Sequence, residues 1–248
     1  YLIQTGQTGV QGDAWRIAQG GNPTFEDKIT WTDGEFNELT QGDEWSIMFW
    51  IYDKKDEGFR EMLQMRTASP ADTGLVYIWE NGGQVGITGT PDGWSSEFEA
   101  KSNCVDITDT PNQVWHQIVA TYDDDGSVKL YMDGSLCATD NNAPDSSGGF
   151  DVEQVAFGYR YDNQQSNECV CDELGFWSDV LTAEEITAMY NNRSGVPFSD
   201  SAVPKDNLFA YFDFEQSGTT LENVAEYDLD VGVANPDAWI TGIDSAAF

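Results

Sequence analysis

The sequence predicts an all-β sandwich carrying one short helix, and three observations support that prediction. Strand-length runs rich in aromatic and β-branched residues recur along the chain. Turns built from Gly, Asp and Asn separate them. A helical period with its own start signal occurs near residues 182–190 and stands out from the rest.

Trp45-Ser-Ile-Met-Phe-Trp-Ile-Tyr52 is apolar at nearly every position, as in a strand covered on both faces. Leu75–Trp79 is a short β-rich run; Asn81-Gly82-Gly83 forms a turn, and Gln84–Thr88 continues as its hairpin partner. Trp115–Tyr122 is a second buried strand. Asp124-Asp125-Gly126 turns it into Ser127–Met132, and Asp133-Gly134 is another hairpin signal. Val155–Tyr159 and Glu173–Trp177 are two more strands. Thr182-Ala-Glu-Glu185 is a capping box, in which the Thr182 hydroxyl and the Glu185 carboxylate each satisfy an orphan backbone donor. Ile186, Met189 and Tyr190 follow as one apolar stripe, ended by Asn191-Asn192. Further on, Phe209, Tyr211, Phe212 and Phe214 crowd together, and Leu229, Val231 and Val233 alternate behind Tyr227. Residues 207–248 therefore hold additional strands, which must pair within this sandwich or with a neighbour's to avoid exposed edges. Residues 1–24, rich in Gly, Gln and Thr, are an N-terminal arm or first strand ahead of a single domain over 25–248.

With 248 residues, 40% hydrophobic and 13% aromatic, the chain has too much to bury for a disordered acidic tail. No window approaches the ~20 apolar residues of a membrane-spanning helix, no signal-peptide pattern opens the chain, and a soluble globular protein is expected. Forty-four acidic residues against 11 basic ones give a net charge of −33. That field repels phosphate backbones and anionic lipid, which argues against nucleic acid and membrane insertion. Such self-repulsion suits a salty, marine or halophilic, setting where counterions screen it. The four cysteines fit neither zinc nor Cys-x-x-C spacing. Cys169 and Cys171 lie on the same side of one strand, where a mutual bond would strain the backbone, so Cys104–Cys137 is the preferred disulfide.

Five segments in order resemble the laminin-G-like family of concanavalin A-like lectins and glucanases. They are Trp45–Tyr52, Trp115–Asp123, Val128-Lys-Leu-Tyr-Met-Asp-Gly134, Cys171-Asp-Glu-Leu-Gly-Phe-Trp177, and Val180-Leu-Thr-Ala-Glu-Glu-Ile186 with Met189-Tyr190. The resemblance implies a two-sheet antiparallel jelly roll of about six to seven strands per sheet, with Trp45, Trp50, Trp115 and Trp177 in its core. Two departures stand out. Cys169-Val170-Cys171 occupies a stretch where the family usually has glycine. Leu208–Thr220 resembles the strand that opens such modules, yet here it follows the helix. The family also implies a calcium site at the sandwich edge, and the matching positions are Asp172, Glu173, Asp213 and Asp228.

Catalytic patterns are weaker than this. Glu226-Tyr-Asp228-Leu-Asp230 places three acids on one strand face, but its last member is one methylene short of the laminarinase pattern. His116 is the single histidine and lies inside a strand, without a Gly-x-Ser-x-Gly elbow to serve. Sugar recognition needs aromatic faces beside polar groups. Trp94 in Pro91–Ser96, and the cluster Tyr159, Arg160, Tyr161 and Asn163, meet that requirement. Asn192-Arg193-Ser194 is an N-glycosylation sequon, whereas Asn22-Pro23-Thr24 is blocked by its proline. The expected function is a non-catalytic, extracellular or surface-exposed module for binding or adhesion, with glycan or a protein surface as partner. The alternatives are a self-assembling structural subunit of a virion or extracellular filament, and a β-glucanase-type hydrolase.

Overall fold

Strand alternation and hairpin turns build two antiparallel sheets. The structure is a computed structural model that describes residues 14–17, 29–31, 39, 44–53, 59–66, 75–90, 98–101, 114–143, 152, 154–157, 169–214, 220–221, 223–225, 231–232 and 239–240. The larger sheet contains β1 (Ala14–Ile17), β3 (Trp45–Asp53), β8 (His116–Tyr122), β9 (Val128–Met132), β10 (Ser135–Asp140), β12 (Cys169–Trp177), β13 (Leu208–Phe212) and β16 (Trp239–Ile240). Its order is β10-β9-β8-β3-β12-β1-β16, with β13 also on β12. The second sheet has the order β2 (Ile29–Trp31), β11 (Gln154–Phe157), β4 (Arg60–Arg66), β5 (Leu75–Asn81), β6 (Gln84–Thr90) and β7 (Phe98–Lys101). A separate pair joins β14 (Thr220–Leu221) to β15 (Val231–Gly232). Among the described residues the sheets thus have eight and six strands, more in the first than the family resemblance implies.

Between the sheets lies one apolar core, including Ile47, Phe49, Leu63, Ile78, Ile87, Ile118, Phe157 and Phe176. Phe49 and Phe157 meet edge to face across it at 5.3 Å. The large sheet also buries its other face. Met48, Trp50, Trp115, Val119, Trp177 and Tyr211 are covered there by Ile186 and Met189 of helix α1 (Ala183–Tyr190) and by Val196 and Val203 of the segment behind it. This double burial explains why β3 is almost continuously apolar and β8 is buried at every residue. Trp45, Trp50, Trp115 and Trp177 are all fully buried.

Helix α1 starts as its sequence requires. The Thr182 hydroxyl accepts from Glu185 N–H at 3.2 Å, and the Glu185 carboxylate accepts from Thr182 N–H at 2.8 Å. Ser46 on β3 ties the approach to the helix, accepting from Leu181 N–H at 2.8 Å and donating to the Asp179 carbonyl at 2.7 Å.

One edge of β12 serves two partners. Its first residues, Cys169–Cys171, pair with β1, and Leu174–Trp177 pair with β13. The change falls at a bulge between Asp172 and Gly175, where Glu173 has φ 52°. The strand that follows the helix is thereby incorporated into this sheet, and residues 14–17 form a strand of it too. Strands β4, β7 and β10 carry weak sequence signals; β4, Arg-Glu-Met-Leu-Gln-Met-Arg, has no β-branched residue. Cys137 is disulfide-bonded, Cys171 is a buried thiol, and Cys104 lies outside the described residues.

Candidate functional site: the outer face of the six-stranded sheet

Because Val76, Ile78, Val85 and Ile87 point into the core, the alternate residues of β5 and β6 form the opposite face. Register aligns Gln64, Tyr77, Thr88 and Glu99 in one row across this face. The neighbouring row is Glu61, Trp79, Gly86 and Lys101. Glu61, Gln64, Trp79 and Thr88 are buried at the floor, Phe59 and Tyr77 are half-buried, and Glu99 and Lys101 reach solvent.

Polar contacts fix this floor. The Gln64 amide donates to Glu61 Oε2 at 3.0 Å, and the Trp79 indole donates to Thr88 Oγ1 at 2.8 Å. Gly86 makes room for the indole: a Cβ there would lie 2.2 Å from Trp79 Cζ2. Phe59 packs on Trp79 at 5.5 Å and meets Tyr77 edge to face at 6.4 Å. Lys101 pairs with Glu99 at 2.8 Å and has its ammonium 5.8 Å from the Trp79 ring centre. Aromatic surface, a carboxylate, an amide and an ammonium thus converge on one face. Phe59, Tyr77, Glu99 and Lys101 keep solvent exposure above the buried floor, and such a set can stack on an apolar ring face while exchanging hydrogen bonds with hydroxyls.

Two acidic sets lie elsewhere. Pairing of Trp45 with Tyr122 brings Glu44 opposite Asp123, and carboxylate oxygens of Glu44, Asp123 and Asp124 lie within 4.8 Å of one another. Partial burial pushes the Glu44 carboxyl up, as do a hydrogen bond with Asp179 and the charges of Asp179, Asp123 and Asp124. The second set contains Asp172, Glu173 and Asp213, all acting on Tyr211. Burial raises that phenol well above its ordinary range, reinforced by the charge of Glu173, a hydrogen bond to it, and the charges of Asp172 and Asp213. Three of the four positions singled out for calcium therefore bear on one hydroxyl; Asp228 lies outside the described residues.

Trp94, Tyr159, Arg160, Tyr161 and Asn163 also lie outside the described residues, as does the Glu226–Asp230 string. Their places in the chain relate them to this sheet. Trp94 is on the β6–β7 connection, and Tyr159–Asn163 follow β11. Strand β6 ends beside Leu75, whereas β11 runs toward the opposite end of the sheet. The two connections thus leave from different ends. Sequence reasoning missed the floor residues, since Glu61 and Gln64 sit in the weakly signalled β4 and Trp79 reads as an ordinary strand aromatic. The Gly86-x-Thr88 alternation was the available sign that something large lay across β6. His116 is a structural residue: Nδ1 lies 2.9 Å from Asp133 Oδ2, within the buried sheet.

A family model described as the concanavalin A-like lectin/glucanases superfamily matches residues 21–187. No curated protein matches the sequence. The fold is similar to a heptameric SAP-like pentraxin from Limulus polyphemus, with 12% identity, a TM-score of 0.60, and coverage of 94% of this chain and 95% of the pentraxin. It is also similar to botulinum neurotoxin type C, described as depending for cell entry on two ganglioside molecules; identity is 15%, TM-score 0.52, and coverage 73% and 46%. Mouse laminin α1 domains LG4–5 align with 12% identity and a TM-score of 0.50 over 70% of this chain and 44% of theirs.

Proposed function

This chain belongs to the concanavalin A-like lectin/glucanases superfamily, and from that premise we propose that it is a non-catalytic module that binds glycan on the outer face of its six-stranded sheet. The carrying observation is the floor of Glu61, Gln64, Trp79 and Thr88 beneath Phe59, Tyr77 and Lys101. Glu99, paired with the Lys101 ammonium, reaches solvent above the buried Glu61–Gln64 floor, an arrangement suited to orienting hydroxyls. The ganglioside dependence of botulinum neurotoxin type C lends support, since that protein shares the fold. The high negative charge favours neutral over anionic sugars. We place the module outside the cell or on a virion surface.

Calcium is part of the proposal. It takes six to eight oxygen ligands, and the clustered carboxylates of Glu44, Asp123 and Asp124 offer a hard-cation donor set. The family-implied set fits less well: Asp172 and Glu173 are buried, and Glu173 is already engaged by Tyr211.

Binding of neutral oligosaccharides to the full chain, followed by glycan array and calorimetry, tests the reading. Tyr77→Ala and Lys101→Ala should each weaken binding about tenfold, some 1.4 kcal/mol, without lowering the melting midpoint by more than a few degrees. Unchanged affinity in both variants, or no glycan bound by the wild type, would refute it. The assembly alternative makes a different prediction, a defined multimer in solution at high salt.

A further inference from the structure

We propose that Asn192 is an N-glycosylation acceptor, a site independent of the sheet face described above. The sequence supplies Asn192-Arg193-Ser194, followed by Gly195 rather than proline. The fold presents it at the apex of a left-handed turn beyond α1, with φ 46° at Asn191, 53° at Asn192 and 71° at Arg193. Both neighbours are tied down. Asn191 Nδ2 donates to the Gly195 carbonyl at 2.9 Å, and Arg193 donates to Asp133 Oδ2 at 3.2 Å. Asn192 between them is exposed, and its side chain makes no hydrogen bond among the described residues. Asparagine tolerates this backbone region, so the conformation alone would account for Asn192. It does not account for Ser194, whose exposed hydroxyl the turn leaves unused.

A second observation points to the same compartment. Cys137 is disulfide-bonded, and such bonds persist where secreted chains also meet oligosaccharide transferases. The co-reactant is a lipid-linked phospho-oligosaccharide. The Asn192 amide nitrogen bonds to its anomeric carbon as the bond from that carbon to the phosphate oxygen breaks. The lipid phosphate leaves with the electron pair, and one amide proton passes to a base of the transferase. Through Arg193 and Asp133 the acceptor lies beside the β9–β10 turn, on the covered side of the eight-stranded sheet. A glycan there projects away from the six-stranded face and leaves it open.

The test is secretion of the full chain from cultured eukaryotic cells together with a known glycoprotein. Intact mass should show one discrete oligosaccharide, removed by peptide:N-glycosidase to leave aspartate at 192. Ser194→Thr should keep it; Asn192→Gln and Ser194→Ala should both lose it, Ser194→Ala without a shift in melting midpoint or in oligosaccharide affinity. If the wild type and Ser194→Thr stay bare while the co-secreted glycoprotein is modified, the proposal is wrong. Sugar persisting in Asn192→Gln overturns it equally.

Discussion

A glycine and a tyrosine show how single side chains set local energetics here. Any side chain at 86 collides with the indole laid over it, so Gly86→Ala should displace Trp79 and strain its bond to Thr88. The expected cost is about 1–3 kcal/mol by overpacking, read as a lower urea midpoint and changed tryptophan fluorescence. Glycan affinity should fall in parallel. Tyr211 makes a prediction in pH. Its phenol is raised in the folded state, so the native protein holds that proton when the unfolded chain has released it. The contribution is therefore complete below pH about 10 and is lost as pH rises through the folded value. Tyr52 and Tyr131 are raised by burial as well, Tyr131 also by Glu184, and act in the same direction. Tyr211→Phe should accordingly flatten, not abolish, the alkaline fall in urea midpoint. At neutral pH it should cost roughly 1.5–3 kcal/mol for the lost hydrogen bond to a carboxylate.

At the scale of elements, the helix depends on the hairpin beneath it. Asp133 accepts from Gln117 N–H at 3.1 Å, faces His116 at 2.9 Å and holds Arg193 at 3.2 Å, joining β8, the β9–β10 turn and the end of α1. Thr187 donates to the Gly134 carbonyl at 3.0 Å, and Tyr190 stacks on Trp50 at 5.8 Å. Gly134, at φ 73°, has Tyr190 side-chain carbons at 3.0–3.2 Å from where a Cβ would sit, closer than van der Waals contact. Asp133→Ala leaves a buried donor and the histidine unmatched and should cost about 1–3 kcal/mol. Asp133→Asn keeps acceptor geometry and a residue that tolerates positive φ, so its cost should be smaller. Thermal melts of the two variants check the ranking. Equal losses would mean that charge, and not hydrogen bonding, holds the helix end.

For the whole molecule, charge dominates. A net −33 spread over 248 residues repels itself in dilute buffer, while the Debye length falls to ~3 Å at 1 M salt. The melting midpoint should rise by several degrees between roughly 50 mM and 2 M chloride, where surface charges are screened. Calcium at millimolar level should raise it further in chelator-treated protein, and Asp123→Asn should reduce that rise. A midpoint independent of both ions would mean that internal pairing already neutralises the field.

Periodicity and turn chemistry made much of this architecture legible. The runs 45–52 and 115–122, the Gly82-Gly83 and Asp133-Gly134 turns and the Thr182–Glu185 box are local signals, because each states its own backbone conformation or burial. The buried tryptophans followed from the family resemblance. Strand β4 was not legible, since a stretch without β-branched residues becomes a strand only when β5 and β11 supply its hydrogen bonds. For the same reason the candidate face could not be read from any one segment. Gln64, Tyr77, Thr88 and Glu99 are distant in sequence and become neighbours only through strand register. Glu44 met Asp123 in the same way. Residue type and spacing determined the strongly patterned strands, their turns and the capped helix; sheet order and register, long-range pairings that no local signal encodes, decided the weakly patterned strands and which polar side chains share a surface.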